Sequence, residues 1–273
     1  MCALAGCASL PPNLRVSPST PEVGRSLLEG WFSRGAGHQT LQGVARVRVK
    51  NAERSVSGSQ VVLAEVPDRL RAETLSPFGT PLLVLAANGA ELSVLLPGDN
   101  RFYRGQTSPA NLGRFTRLPL RLDDLVGILL AQPPLVNSQD VTTYLLQGGG
   151  WQVELTDGVR RQELQFDASR QLADVRYFYR GELQLHLAYN AYQGEFPGIP
   201  RRIDLVLPRQ STEASLVFSE ITVGGAILPS LFSLAPPPDA VVVNLDEMRG
   251  PDVNGTTMES PAEELSTPRE VVR

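Results

Sequence analysis

Side chains able to move a proton or attack a carbonyl are scarce in this sequence. Its 273 residues include two histidines, His38 and His186, and two cysteines, Cys2 and Cys7. His186 stands between Leu185 and Leu187 in an alternating run, the setting of a solvated histidine on a sheet. Asp123 and Asp124 are adjacent in a segment of helical spacing, so they point to different sides and cannot share a proton as a paired-carboxylate site does. They suit the positive first turn of a helix instead. H-E-x-x-H, G-x-S-x-G and Walker-type loops are absent, and Gly35-Ala36-Gly37 follows a helix-like stretch where a dinucleotide loop would follow a strand. The chemistry points away from an enzyme: we expect no catalytic residues, no metal ligands and no cofactor.

Both cysteines precede any plausible fold, so neither can staple a core or complete a metal site. Cys7 has another context. Leu4-Ala5-Gly6-Cys7, followed by Ala8-Ser9, resembles the lipobox of bacterial lipoproteins, which implies that Cys7 is lipidated and that Ala8, standing where Asp would retain the protein, directs it to the outer membrane. Six residues precede Cys7, whereas a secretory leader has a charged start and ~7–15 apolar residues, so residues 1–7 read as a truncated lipoprotein signal. Several acyl tails, at ~0.8 kcal/mol per buried methylene, suffice for stable anchoring. Residues 8–20, "ASLPPNLRVSPST", carry prolines and no hydrophobic face and read as a tether.

Composition narrows the remaining classes. The chain is 42% hydrophobic, long enough for a sizeable core, with a formal net charge of -4 and no dense Lys/Arg run, which argues against a nucleic-acid partner. No apolar run reaches the ~20 residues of a membrane-spanning helix.

The elements that must position any site follow from periodicity. Thr20-Pro21-Glu22 opens a helix with Leu27, Leu28, Trp31 and Phe32 on one side. From Leu41 the period becomes two, and strands are expected near 41–50, 56–66, 69–76, 82–87, 91–96 and 101–104. Asn88-Gly89 and Pro97-Gly98-Asp99-Asn100 are turns that make these runs an antiparallel meander. A second set is expected near 141–147, 151–156, 161–166, 172–179, 182–189, 202–207 and 214–222. About a dozen strands in one sheet must curl. Between the sets, residues 108–132 show helical spacing, and Pro119 divides a short helix from a longer one, a natural cover for the mouth of the curved sheet.

Three stretches follow one another along the chain: "RLRAETLSPFGTPLLVL" at 69–85, "LGRFTRLPLRLDDLVGILLAQP" at 112–133 and "LAYNAYQGEFPGIPRRIDLVL" at 187–207. In this order they resemble the LolB-like family of outer-membrane lipoprotein receptors with the LolA-type fold. The resemblance implies one mainly β domain over 21–246, a curved antiparallel sheet forming an incomplete β-barrel with lid helices near 108–132. It further implies an apolar cavity that accepts the acyl chains of lipoproteins from a periplasmic LolA-like carrier.

In that family a large apolar side chain on the loop after the third strand of the domain helps delivery. The matching loop here is Pro77-Phe78-Gly79. A Phe left in water forgoes ~1.5–3 kcal/mol of burial, so the tip reads as a surface that is only sometimes wet. Cavity and lid are expected from Trp31, Ala45, Val47, Leu70, Val84, Val94, Leu118, Leu122, Leu125, Val126 and Leu129. The expected protein is a monomeric, lipid-anchored receptor on the inner leaflet of the outer membrane, facing the periplasm. Two alternatives stay open: a same-fold carrier of another amphiphile, for which Arg101, Arg104, Arg114, Arg117 and Arg121 would supply a basic rim, and a structural lipoprotein of an envelope complex. Val241, Val242, Val243 and Leu245 suit a barrel edge, and residues 247–273 read as a disordered polar tail.

Overall fold

The alternating runs become strands of a single sheet in the computed structural model, which describes residues 15–138, 140–192, 196 and 198–248. A first strand, β1 (Arg15–Ser19), leads into helix α1 (Pro21–Ala36). The first meander comprises β2 (Thr40–Lys50), β3 (Ser55–Glu65), β4 (Arg69–Leu75), β5 (Pro81–Asn88), β6 (Glu91–Leu96) and β7 (Arg101–Gln106). Helices α2 (Pro109–Thr116) and α3 (Leu122–Leu129) follow. The second meander comprises β8 (Asp140–Leu146), β9 (Trp151–Thr156), β10 (Arg160–Phe166), β11 (Leu172–Tyr179), β12 (Glu182–Asn190), β13 (Arg202–Leu207) and β14 (Thr212–Val223). A short strand, β15 (Val241–Asn244), comes last.

The 15 strands run in the order β1-β8-β9-β10-β11-β12-β13-β14-β2-β3-β4-β5-β6-β7-β15. Each meander is built from neighbours in sequence, while the seam between the meanders pairs β14 with β2 from Glu213↔Lys50 to Val223↔Leu41. A bulge between Phe218 and Glu220 bends this seam, and Gly43 lies against it, where a Cβ would collide with the Glu220 carbonyl. The two ends of the sheet, β1 and β15, do not meet, so the barrel is incomplete. The fold class is the one expected: mainly β, curved, with a helical cover.

Helices occupy the concave side, and one continuous core joins them to the sheet. α1 buries Gly24, Leu27, Trp31 and Gly35 at three- and four-residue spacing. Gly24 lets it approach β8, since a Cβ there would collide with the Thr143 hydroxyl. Trp31 Nε1 donates to the Ala131 carbonyl at 2.9 Å, tying α1 to the chain leaving α3. Between α2 and α3 lies Pro119, as expected.

Four expectations are corrected. Phe32 is 54% exposed, because the buried stripe of α1 turns away from it. The two lid helices are equal, 8 residues each. Residues 15–19, expected in the tether, form a strand instead: Ser17, Pro18 and Ser19 pair with Leu145, Tyr144 and Thr143 of β8, and an edge strand tolerates a Pro. The sheet is not wholly antiparallel either, for β15 runs parallel to β7. Cys7, residues 8–14 and the tail from 249 lie outside the described residues.

After β14 the chain crosses the convex face. A short turn at Pro229–Phe232 packs on β4 and β5, and Ile227 and Phe232 cover Leu63. The chain then reaches β7 as β15, and its end clasps the lid. Asp246 Oδ1 accepts from Asn111 Nδ2 at 2.9 Å and from the Gln106 N–H at 3.1 Å, while Arg114 Nη2 donates to the Met248 carbonyl at 2.9 Å.

Candidate functional site

Between the lid and the sheet lies a cavity of about 300 Å³, at the small end of the ~300–1,000 Å³ typical of small-molecule pockets. Its floor consists of inward-facing residues at alternate positions: Val47 and Val49 of β2, Val62 of β3, Leu70 and Ala72 of β4, Leu83 and Leu85 of β5. Ile203, Leu205, Ala214 and Leu216 of β13 and β14 complete the sheet wall, and Phe115, Leu118, Leu125, Ile128 and Leu129 form the roof. Leu70, Leu85, Ile128, Leu129 and Leu205 are buried at the inner end, whereas Val56, Ser57 and Arg117 are exposed and mark the mouth. Polar groups occur near this mouth: Ser57, Gln60, Thr74, Thr116 and Arg117.

The mouth opens at the end of the sheet that carries the loop between β4 and β5. Thr74 and Leu83, paired across the two strands, both line the cavity just before the chain turns. The turn is a tight one, with the Gly79 N–H donating to the Ser76 carbonyl at 3.0 Å and Gly79 at φ 81°. Ser76 fixes it further: its hydroxyl oxygen accepts from the N–H groups of Phe78 and Thr80 at 3.2 and 3.1 Å, and its own N–H donates to the Thr80 carbonyl at 2.8 Å. Phe78 is therefore held out on an ordered loop, 95% exposed. Leu82 and Val56, both about half exposed, extend the apolar surface at this end.

Of the expected cavity residues, Val47, Leu70, Leu118, Leu125 and Leu129 line it. Trp31, Ala45, Val94, Leu122 and Val126 do not; they are buried in the surrounding core. Val84 faces the opposite way, since it lies between Leu83 and Leu85, which both point inward, and so belongs to the convex face. Pro77 and Gly79 shape the loop without lining the cavity. Phe115, Val49, Val62, Ala72, Leu83, Leu85 and the β13 and β14 residues were missed. Alternation marks which of the latter share a face, but nothing local says that β14 returns to β2.

The expected basic rim resolves into different roles. Arg114 holds the C-terminal segment and Arg121 chelates the Asp123 carboxylate at 3.0 and 3.1 Å, while Arg117 stands at the mouth. Asp123 and Asp124 sit in the first turn of α3, as expected. His186 lies outside the cavity, its Nε2 2.5 Å from Asp174 Oδ2, at one end of a strip of cross-strand charges that includes Arg176 and Glu163. Such pairs stabilise neighbouring strands. Among the described residues there is no cluster of metal-ligating side chains and no helix long and apolar enough to cross a membrane.

Neither a family model nor a curated protein matches the sequence. Solved structures do match the fold. An outer membrane lipoprotein-sorting protein domain from Vibrio parahaemolyticus superposes with a TM-score of 0.51 at 15% identity, over 78% of this chain and 97% of that one. A DUF1329 family protein from Desulfovibrio piger gives a TM-score of 0.50 at 13% identity, over 79% and 98%. A LolA superfamily protein from Nitrosomonas europaea gives 0.47 at 14% identity, over 77% and 97%. At these identities the likeness to the first two is one of fold alone, that of the incomplete barrel described above.

Proposed function

We propose that the protein is a non-enzymatic acyl-chain receptor of the LolB kind: anchored through Cys7 to the inner leaflet of the outer membrane, it accepts lipoproteins from a periplasmic LolA-like carrier and delivers them to that membrane. One observation carries the reading: an apolar cavity opens at the end of the sheet that also presents a phenyl ring, 95% exposed, on a hydrogen-bonded loop. The cavity offers an acyl chain the burial it loses on leaving the donor, and Phe78 offers a foothold in lipid where its exposure ceases to cost free energy. Transfer then needs no nucleotide, since a tenfold affinity difference between donor and receptor is ~1.4 kcal/mol.

The test uses a soluble Cys7→Ala form and a purified carrier loaded with a triacylated lipoprotein. Cargo should pass to the protein in a pull-down, and the Phe78→Glu variant should accept cargo but fail to release it into liposomes. If cargo stays with the carrier, the receptor reading is wrong.

A further inference from the structure

The polar groups at the mouth form an ordered collar. Gln60 of β3 and Thr74 of β4 are direct cross-strand partners, and Gln60 Nε2 donates to Thr74 Oγ1 at 3.0 Å. That bond leaves the Thr74 hydroxyl proton and the Gln60 carbonyl oxygen without a protein partner among the described residues. On the lid side Arg117 caps α2 in the left-handed conformation, φ 64°, a place that ordinarily falls to Gly or Asn. Its N–H is bonded to the Gly113 carbonyl at 2.9 Å, while among the described residues its guanidinium makes no ion pair. The neighbouring Thr116 hydroxyl is engaged with the Leu112 and Leu118 carbonyls at 2.9 and 3.1 Å. A cation and a hydroxyl donor thus remain at the edge of an otherwise apolar pocket.

Volume limits what can lie beneath them. A cavity of about 300 Å³ is at the small end of the range for small-molecule pockets, a size that suits one acyl chain better than several.

We propose that the cavity binds a single-chain amphiphile with an anionic oxygen head, a carboxylate or a phosphate, its chain beneath α3 and its head at Arg117 and Thr74. This rests on the acyl-cavity part of the function proposed above and extends it to a free lipid ligand. Arg117 supplies the charge, and the Thr74 hydroxyl donates the orienting hydrogen bond. Gln60 holds Thr74 in register by donating its Nε2–H to the Thr74 hydroxyl oxygen.

The test is calorimetric titration of the soluble Cys7→Ala form with dodecanoate, dodecyl phosphate and uncharged methyl dodecanoate, each below its micellar concentration. One ligand should bind per protein, and an anionic head should improve affinity about tenfold over the ester. Arg117→Gln, and Arg117→Gly, which suits the left-handed backbone, should both abolish that difference. Preference for carboxylate would assign a fatty acid and preference for phosphate a lysophospholipid; either supports the proposal. Equal affinity for anion and ester in the unaltered collar, survival of the preference in both Arg117 variants, or a stoichiometry of two overturns it while leaving an acyl pocket in place. If none of the three ligands binds, the acyl-cavity reading falls as well. Amphiphile binding without acceptance of lipoprotein would instead sustain this inference and remove the receptor function.

Discussion

At the scale of single residues, the exposed Phe78 and the cavity beneath the lid make separable demands. The loop is ordered by Ser76 rather than by its aromatic tip, so Phe78→Glu should leave stability within ~0.5 kcal/mol of the parent in urea unfolding. Liposome delivery, measured beside it, should fall at least tenfold. Ala72 lines the cavity from β4, and Ala72→Phe would fill space that a ligand otherwise takes. Binding of a fluorescent fatty acid should drop at least tenfold, with an overpacking cost of no more than ~1–3 kcal/mol. Phe78 was legible in the sequence because Ser-Pro-Phe-Gly specifies a turn and leaves its aromatic residue nothing local to pack on. Val84 was misread because alternation tells which residues share a face but not which face is inside.

At the scale of elements, the lid and the C-terminal clasp form one unit. Asn111 is 5% exposed and its amide is satisfied by Asp246 and by the Gln106 carbonyl, so the start of α2 depends on a segment 135 positions later. Asp246→Ala strips a buried amide of its charged partner and should cost about 1–3 kcal/mol. The loss should appear locally as faster hydrogen exchange in α2, with the second meander unchanged; uniform acceleration across the molecule would show that the clasp acts on the whole sheet instead. The helices were foreseen from their 3.6-residue period and from Pro119. The clasp was not, since Asp246 looks like any acid in a polar stretch.

At the scale of the whole molecule, the seam between β14 and β2 turns two meanders into one curved wall with residues of both around the cavity. Gly43 is the point of closest approach at the seam's bulge, where added side-chain volume meets backbone that cannot swing aside. Gly43→Ala should destabilise the protein by roughly 1–3 kcal/mol in urea unfolding and weaken ligand binding in parallel, because seam and cavity share β2. An unaltered unfolding midpoint would count against the seam as the joint of the molecule.

Strand spans, turns, the divided lid and the exposed loop were fixed by the sequence itself, for each depends on residues within a few positions: period two against 3.6, Gly and Pro at the breaks, a Ser to hold a turn. The return of β14 to β2, the strand made from Arg15–Ser19, the parallel β15, the inward side of β5 and the company of Arg117 with Gln60 and Thr74 were decided only by tertiary structure. Those contacts join segments far apart in the chain, and their free energy comes from apolar surface buried jointly once the sheet has curled. No local pattern encodes which partner supplies the other half of that surface.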